Sequence, residues 1–289
     1  MTRKIAFINQ KGGVGKTTLV ANCGAYWARN GRRVLLVDLD AQAHLTLHLG
    51  TAADLDRINL YRVFRGELDI ADAIVHIPGE GLDLLPSHID LSAAEWEFGQ
   101  EVGREMLLRD RLRLLLKVRA YDLVLVDCPP SLGFLSLNAL AAVDDVVIPV
   151  QAEFFALQGM AQLLKVIELV RERLHSDLEW RAIVPTLVDL RTNLGREVIA
   201  ELERHFPGKV TRSLLTKRIK VAEAPSFGKS IFEYAGNSEG AVEFANLAVE
   251  LEHRLALPPA GAKQEPAARE AGDEAPAEGV VPARASGRS

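Results

Sequence analysis

The chain has 289 residues, of which 48% are hydrophobic and 25% are charged, a balance typical of globular proteins in water and too polar for a membrane-embedded one. No run of about 18 apolar residues predicts a membrane span, and the first residues lack the apolar stretch of a secretory signal, so we expect a cytoplasmic protein with no membrane partner. The net charge of −5 argues against a protein that coats nucleic acid with its whole surface, so any DNA contact has to come from a local patch.

Short apolar runs alternate with amphipathic stretches along the chain. We predict strands at 4–9, 33–37, 82–85, 121–126, 145–150 and 181–188, and helices at 16–30, 93–118, 135–142, 157–174, 194–205 and 238–255. This order predicts an α/β fold in which a mostly parallel twisted sheet carries helices on both faces.

The composition changes at Pro258. The segment from there to Ser289 holds five of the 13 prolines and has Val280 and Val281 as its only large aliphatic residues. Such a segment buries too little apolar area to offset the entropy lost on ordering. We therefore predict one domain over residues 1–257 and a disordered tail rich in Pro, Ala and Glu over residues 258–289.

A glycine-rich turn joins the first predicted strand to the first predicted helix. Residues 11–18 read K-G-G-V-G-K-T-T, in the context that a phosphate-binding loop (P-loop) requires. The main-chain N–H groups of such a loop point at phosphates, Lys16 adds a positive charge, and Thr17 offers a hydroxyl to Mg²⁺. ATP and Mg²⁺ are thus the predicted cofactors, and the predicted nucleotide-binding residues are Lys11, Gly12, Gly13, Val14, Gly15, Lys16, Thr17 and Thr18.

Three aspartates follow apolar strands. Asp38 and Asp40 alternate after the second predicted strand, and Asp127 ends the run L-V-L-V-D. Carboxyl ends of parallel strands share one edge of a sheet, where ligands bind. One carboxylate there organises the Mg²⁺ shell while another orients an attacking water. We predict Thr17 and Asp127 as metal-binding residues, partly through water, and Lys16 as a catalytic one, while Asp38 and Asp40 divide the two roles between them.

Lys11 departs from the ordinary phosphate loop, which has a single lysine. Its ammonium either screens the triphosphate of its own subunit or reaches the nucleotide of a facing subunit. The loop, the segment V-D-L-D-A-Q and the later runs 131–140, 147–159, 189–195 and 221–229 together resemble the ParA/Soj family, over about residues 4–255. That resemblance implies a P-loop ATPase fold of the deviant Walker A type and a catalytic role for Lys11 across a nucleotide-sandwich homodimer. It also implies that Asp38 is the metal-binding residue of the pair and Asp40 the catalytic one.

The resemblance also implies partners. Members of the family dimerise on binding ATP, bind DNA non-specifically at the nucleoid, and release it when a ParB-like activator stimulates an otherwise slow hydrolysis. It further implies that the stretch 151–155 faces a partner and that the turn 223–229 lies near the base and the dimer face.

A basic segment is the candidate DNA-binding surface. Residues 204–229 contain seven Lys and Arg against the single acid Glu223, which predicts one positively charged face. The resemblance adds Arg191 to this face. The DNA-binding residues are predicted to be Arg191, Lys217, Arg218 and Lys220.

The sequence leaves other functions open. A MinD-like ATPase that positions cargo at a membrane or protein scaffold is the main alternative, although residues 258–289 have no basic amphipathic face for a membrane. The two cysteines, Cys23 and Cys128, are not placed to bridge an iron–sulfur cluster. His44 and His48, four residues apart, are expected to be surface or packing residues rather than a metal pair.

Overall fold

The computed structural model describes residues 2–51, 55–153 and 156–260. In this part of the chain a seven-stranded sheet has the order β3-β4-β2-β5-β1-β6-β7. Its strands are β1 (Arg3–Phe7), β2 (Val34–Asp38), β3 (Val75–Ile77), β4 (Leu82–Leu85), β5 (Leu123–Asp127), β6 (Asp145–Gln151) and β7 (Glu179–Thr186). Neighbouring strands run parallel except for β3 and β4. The predicted α/β class with a mostly parallel sheet is confirmed.

Helices cover both faces of the sheet. Within the described residues the α-helices are α1 (Lys16–Arg29), α2 (His44–His48), α3 (Leu60–Phe64), α4 (Ala94–Glu97), α5 (Leu107–Val118), α6 (Phe134–Ala142), α7 (Ala156–Arg173), α8 (Asn193–His205), α9 (Ile219–Glu223), α10 (Ile231–Ala235) and α11 (Glu239–Arg254). None of them combines the length and apolar character that crossing a bilayer requires.

Alternation along the strands produces two separate apolar cores. In β1 and the residue after it, Ile5 and Phe7 pack in the core that contains Trp27 of α1, whereas Ala6 and Ile8 pack in the core that contains Leu112 of α5. Successive side chains of a strand point to opposite faces, so a strand that is apolar throughout is covered on both. The sheet is thereby fixed as a rigid middle layer.

The sequence prediction missed four helices of five residues each, α2, α3, α9 and α10, and it differs from the structure in two further elements. β3 was missed because it has only three residues and pairs antiparallel with β4 through a short turn at Gly81, where φ is 65°. The single helix predicted over 93–118 is wrong, because α4 ends at Glu97 and α5 starts at Leu107. Gly103 between them has a φ of 77°, a conformation that a continuous helix does not contain.

The parallel strands bring their carboxyl ends to one edge of the sheet. Asp127 of β5 is paired in register with Phe7 of β1 on one side and Asp38 of β2 on the other. The phosphate loop follows β1 directly, so the loop and both acids meet at this edge. Residues 261–289 lie outside the described part of the chain, and the tail with its boundary at residue 258 stays a prediction.

Candidate functional site

The phosphate loop owes its shape to glycines. Gly13 and Gly15 have φ values of 74° and 85°, which other residues rarely adopt. A Cβ built at either position would meet no atom within 4 Å. These glycines therefore serve the conformation of the loop and leave open space beside it. Gly15 leads directly into α1, whose first N–H groups receive no side-chain cap.

Lys16 is held inside this loop. Its side chain is only 7% exposed, and its Nζ donates to the carbonyl oxygens of Asn9 and Lys11, at 3.2 Å each. Burial lowers the pKa of the Lys16 ammonium, while the nearby carboxylate of Asp127 opposes that change. An anion in the loop would supply the counter-charge that the carbonyl oxygens only partly provide.

A cleft of about 580 Å³ opens over the loop. Its lining includes six of the eight predicted nucleotide-binding residues, which are Gly12, Gly13, Gly15, Lys16, Thr17 and Thr18. Val14 and Lys11 are the exceptions. Val14 is buried behind the loop, and its carbonyl oxygen accepts a hydrogen bond from Thr186. The cleft has the volume that a ligand of nucleotide size needs.

Asp127 fits a magnesium-bound ligand. Its carboxylate is buried beside the loop, and neither oxygen accepts a hydrogen bond within 3.5 Å from the described residues, although the Thr17 hydroxyl lies near enough to act on it electrostatically. Burial and the neighbouring Asp38 raise the pKa of Asp127 well above its ordinary value, and the Thr17 hydroxyl opposes the rise. Buried, unpartnered carboxylate oxygens are costly unless they bind a cation or its water shell. Thr17 and Asp127 are thus placed to hold Mg²⁺.

Asp38 has contacts different from those expected of a metal ligand. One oxygen accepts hydrogen bonds from Thr46 N and Oγ1, at 2.8 and 2.7 Å, and the other accepts one from Asp40 N at 3.2 Å. Burial raises the pKa of Asp38 to about 6, against the effect of these donors. Asp38 therefore fixes the start of α2, and a magnesium-binding role for it stays a prediction.

Asp40 lies where the sequence placed it. It lines the cleft, and its carboxylate accepts one hydrogen bond, of 3.0 Å, from Gln42 N. Such a contact within a turn leaves lone pairs of the carboxylate available toward the cleft. Asp40 therefore borders the open space beside the phosphate loop, and a water-orienting role for it stays a prediction.

The Lys11 side chain points away from the cleft. Its ammonium forms an ion pair with Glu153, just after β6, and both side chains are half exposed. The structure does not bring Lys11 to the nucleotide cleft of its own subunit. A role across a dimer stays a prediction, as does the partner-facing stretch 151–155, whose residues 154 and 155 lie outside the described part.

The sequence did not identify one wall of the cleft. His44, Leu47 and His48 of α2 line it, as do Pro225 and Ser226 of the turn expected near the base. His48 is 4% exposed, and burial lowers its pKa to about 4, so the ring is neutral at pH 7. The spacing of His44 and His48, which predicts one shared helix face, was the available signal.

Part of the basic segment is extended along β7 rather than gathered at one place. Bridges of Ile183 to Val210 and of Val188 to Thr216 show that it runs alongside β7. Lys209 lies over the ring of Trp180 near the start of the strand, 4.5 Å from the ring centroid. Lys217 and the residues after it lie near the end of the strand, toward Arg191. Lys209 and Lys217 therefore lie toward opposite ends of β7.

Carboxylates from elsewhere neutralise much of this charge. Arg218 pairs with Glu239 and Glu243 of α11, Lys220 with Glu223, and Arg191 with Asp189. The sequence count of one acid missed α11, which packs against the segment from outside it. Arg191 is still 88% exposed, and Lys217 is exposed with no ion-pair partner within 4 Å among the described residues. Whether the four predicted residues bind DNA stays a prediction.

Comparison with known proteins identifies relatives over most of the chain. A family model described as an AAA domain matches residues 2–180. The chromosome-partitioning ATPase Soj of Thermus thermophilus is 46% identical over 253 residues, which are 88% of this chain and 96% of that protein. The chromosome partitioning protein ParA of Caulobacter vibrioides is 42% identical over 249 residues, 86% of this chain and 93% of that protein.

A solved structure is similar over the same extent. The cobyrinic acid a,c-diamide synthase of Mycobacterium smegmatis, with bound ADP and magnesium, superposes with a TM-score of 0.75 at 38% identity and covers 88% of this chain and 95% of its own. The family match over residues 2–180 includes the phosphate loop.

Proposed function

Since this chain belongs to the ParA/Soj family of partitioning ATPases, we propose that it is a nucleotide-dependent switch on DNA. In this proposal ATP with Mg²⁺ closes a homodimer, the dimer binds DNA without sequence preference at the nucleoid, and a ParB-like activator triggers hydrolysis and release. The chain would thus serve the partitioning of DNA or another cargo.

The observation that carries the proposal is the convergence of charges under the cleft. Lys16 is buried with carbonyl partners, and Asp127 is buried with no hydrogen-bond partner among the described residues. Both arrangements are unfavourable until a magnesium-bound triphosphate supplies the missing charges. The relatives named as ATPases and the neighbour with bound ADP and magnesium support this choice of ligand.

The residues divide the chemistry between them. The loop N–H groups and Lys16 would bind the phosphates, and Thr17 and Asp127 would hold Mg²⁺, which neutralises charge on the β- and γ-phosphates. Asp40 would orient the attacking water. Lys16 is the only cationic side chain in the described lining of the cleft. We therefore expect slow ATP turnover until an activator completes the site. Lys11 of a facing subunit is one candidate for the additional positive charge.

The DNA-binding part is supported by the exposed cations at the end of β7. Arg191 and Lys217 are exposed, and the segments that carry them are joined by the bridge between Val188 and Thr216. Arg218 and Lys220 add positive charge that carboxylates partly neutralise. Lysine and arginine bind phosphates without reading bases, so such a surface is suited to sequence-indifferent binding.

The direct test is DNA binding with and without ATP at several salt concentrations. We expect ATP with Mg²⁺ to increase the affinity for unrelated DNA sequences equally, and Arg191→Ala to reduce the slope of log affinity against log salt by about one. Lys209→Ala is the matched control, because this lysine lies over Trp180 at the other end of the strand. A DNA affinity that is the same with and without ATP would contradict the proposal.

A further inference from the structure

Thr186 joins the phosphate loop to the strand that carries the basic residues. It is the last residue of β7, and its Oγ1 donates a hydrogen bond of 2.8 Å to the carbonyl oxygen of Val14. Both residues are buried, with exposures of 2% and 1%. A buried hydrogen bond of this kind is expensive to leave unmade, so the two segments are firmly connected.

The geometry of the peptide bond connects this contact to the orientation of an N–H group in the phosphate loop. The carbonyl of Val14 and the N–H of Gly15 belong to one planar peptide unit and point in opposite directions. Because the carbonyl is bonded to Thr186, the Gly15 N–H is turned toward the cleft that Gly15 lines. A phosphate that accepts a hydrogen bond from the Gly15 N–H therefore contacts the same rigid peptide unit whose carbonyl Thr186 holds.

The other side of Thr186 leads to the candidate DNA surface. Leu187 has a φ of 52°, a left-handed conformation that is disfavoured for leucine. Its neighbour Val188 is anchored by a bond of 3.0 Å from its N–H to the carbonyl of Leu215, and Leu215 N donates to Pro185 O at 3.0 Å. A disfavoured residue held between two anchors is a place where the chain can change conformation.

Both parts of the candidate DNA surface start from these anchors. Asp189, two residues after Leu187, accepts hydrogen bonds from Arg191 N, Nε and Nη2 at 2.8–3.1 Å. On the second segment, Thr216 and Arg218 both bond to Glu243 of α11. Through these bonds a shift of the end of β7 would move Arg191 on one side and, through Thr216, the start of the segment that carries Lys217 on the other.

We propose that Thr186 is a positioning residue that orients the Val14–Gly15 peptide for the phosphate and couples nucleotide binding to the position of the cations around Arg191 and Lys217. The coupling part rests on the proposed function above. The hydroxyl is the essential group, because it supplies the only side-chain hydrogen bond to the Val14 carbonyl among the described residues.

The test uses the full-length chain and three variants. Thr186→Val removes the hydroxyl at nearly constant shape, and Thr186→Ser keeps it. Thr211→Val is the matched control, because Thr211 is also buried, with an exposure of 1%. Its Oγ1 donates a hydrogen bond of 2.9 Å to the carbonyl oxygen of Ser213, which is not part of the loop. For each chain, ATP affinity is measured by calorimetry and DNA affinity is measured with and without ATP and Mg²⁺.

We expect Thr186→Val to weaken ATP binding and to reduce the ATP-induced gain in DNA affinity, each by about tenfold, the size typical of an unsatisfied buried carbonyl. Thr186→Ser and Thr211→Val should behave like the wild type in both measurements. Wild-type ATP affinity together with a wild-type gain in Thr186→Val would overturn the proposal, and a weaker ATP affinity with an unchanged gain would overturn its coupling part.

Hydrogen exchange separates this proposal from the function on which it rests. In the wild type, ATP with Mg²⁺ is expected to slow exchange of the amides of residues 187–192, and Thr186→Ser should do the same. If the wild type binds DNA equally with and without ATP, the proposed function fails, while slowed exchange would still support the link through Thr186. Unchanged exchange in the wild type on adding ATP overturns the link, even if Thr186→Val does not fold.

Discussion

The phosphate-loop edge of the sheet and the basic segment 204–229 both concentrate charge, but different forces position it. At the loop, Lys16, Asp38 and Asp127 are buried and are held by the ends of parallel strands and by main-chain groups. In the basic segment the charges are exposed or half exposed, and carboxylates of α11 and of neighbouring turns pair with several of them.

This difference shows when charged residues in a sequence indicate a ligand-binding site and when they do not. Burying an unpaired charge costs several kcal/mol, so a site that keeps such charges under an open cleft is organised for a ligand. Exposed ion pairs are worth only about 0–1 kcal/mol each, so a run of surface cations says little until its acidic neighbours are known. The two regions therefore predict effects of very different size.

The largest expected effect comes from Lys16. Lys16→Ala should weaken binding of ATP with Mg²⁺ by about 100-fold, because it removes a buried charge that faces the phosphates. Its melting temperature should stay equal to that of the wild type or rise, since among the described residues the buried ammonium has only carbonyl oxygens as hydrogen-bond partners. Calorimetric titration and thermal unfolding measure the two quantities.

Lys165→Ala is the control for this variant, because Lys165 is an exposed residue of α7. Two results would contradict the view that the Lys16 charge serves the ligand rather than the stability of the fold. One is an ATP affinity of Lys16→Ala within about threefold of that of the control, and the other is a melting temperature well below that of the control.

The buried acids should make stability depend on pH in an unusual direction. Burial raises the pKa of Asp38 to about 6 and that of Asp127 well above its ordinary value, so the folded chain binds these protons more tightly than the unfolded chain does. Their contribution to stability is therefore complete below the unfolded pKa and is lost as the pH rises through the folded pKa. Without metal, lowering the pH from about 7 to about 5 should stabilise the fold by about 1–3 kcal/mol through these groups.

Urea unfolding in a chelator at the two pH values, compared between the wild type and Asp127→Asn, isolates the part due to Asp127. The comparison is needed because buried His48, whose pKa is lowered to about 4, opposes the effect of the acids equally in both chains. Asp127→Asn should be more stable than the wild type at about pH 7 and should show a smaller gain on acidification, because one titrating group is gone. A difference between the two pH values that is the same in the wild type and the variant would contradict the account of Asp127.

A smaller effect is expected from releasing a paired cation. Glu243→Gln removes the carboxylate that accepts hydrogen bonds from Thr216 and Arg218. Freed positive charge should raise affinity for DNA by about threefold at low salt, while the lost contacts should lower the free energy of unfolding by about 1 kcal/mol. Glu250→Gln is the matched control, since its partners are Arg254 and the main chain at Arg212 and Ser213. Equal DNA affinity in both variants would show that pairing with α11 does not limit this surface.

The smallest expected effect concerns a single exposed cation. Lys217→Ala should weaken DNA binding about twofold near physiological salt and reduce the salt slope by slightly less than one, because one phosphate contact is lost. Fluorescence anisotropy with a labelled duplex over a salt series measures both. A slope that stays unchanged would remove Lys217 from the DNA surface and leave Arg191 to account for the binding.

The sequence was sufficient for the parts of the site that depend on local spacing. The loop 11–18 and the acids at 40 and 127 follow directly from strands that are apolar throughout, and the structure brings them to one edge. The α2 wall of the cleft depends instead on tertiary contact. A Cβ on Gly228 would lie 2.9 Å from the Cα of Gly50, so the turn that holds Pro225 and Ser226 packs tightly on the chain just after His48.

The same limit explains the error in the basic segment. Its charge balance depends on Glu239 and Glu243, which α11 brings back from 20 or so residues further along the chain. Residue spacing predicts helix faces and strand faces, but it does not show which helix will cover a given surface. The link through Thr186 also joins residues 172 positions apart, so no local pattern could have indicated it.

The most direct test of the account is calorimetric titration of the purified full-length chain with ATP, in magnesium and in chelator. The arrangement of Lys16, Thr17 and Asp127 predicts one ATP bound per chain, at least about tenfold more tightly with magnesium. Binding that is absent, or that is equally tight in chelator, would contradict a magnesium-bound triphosphate as the ligand of the loop.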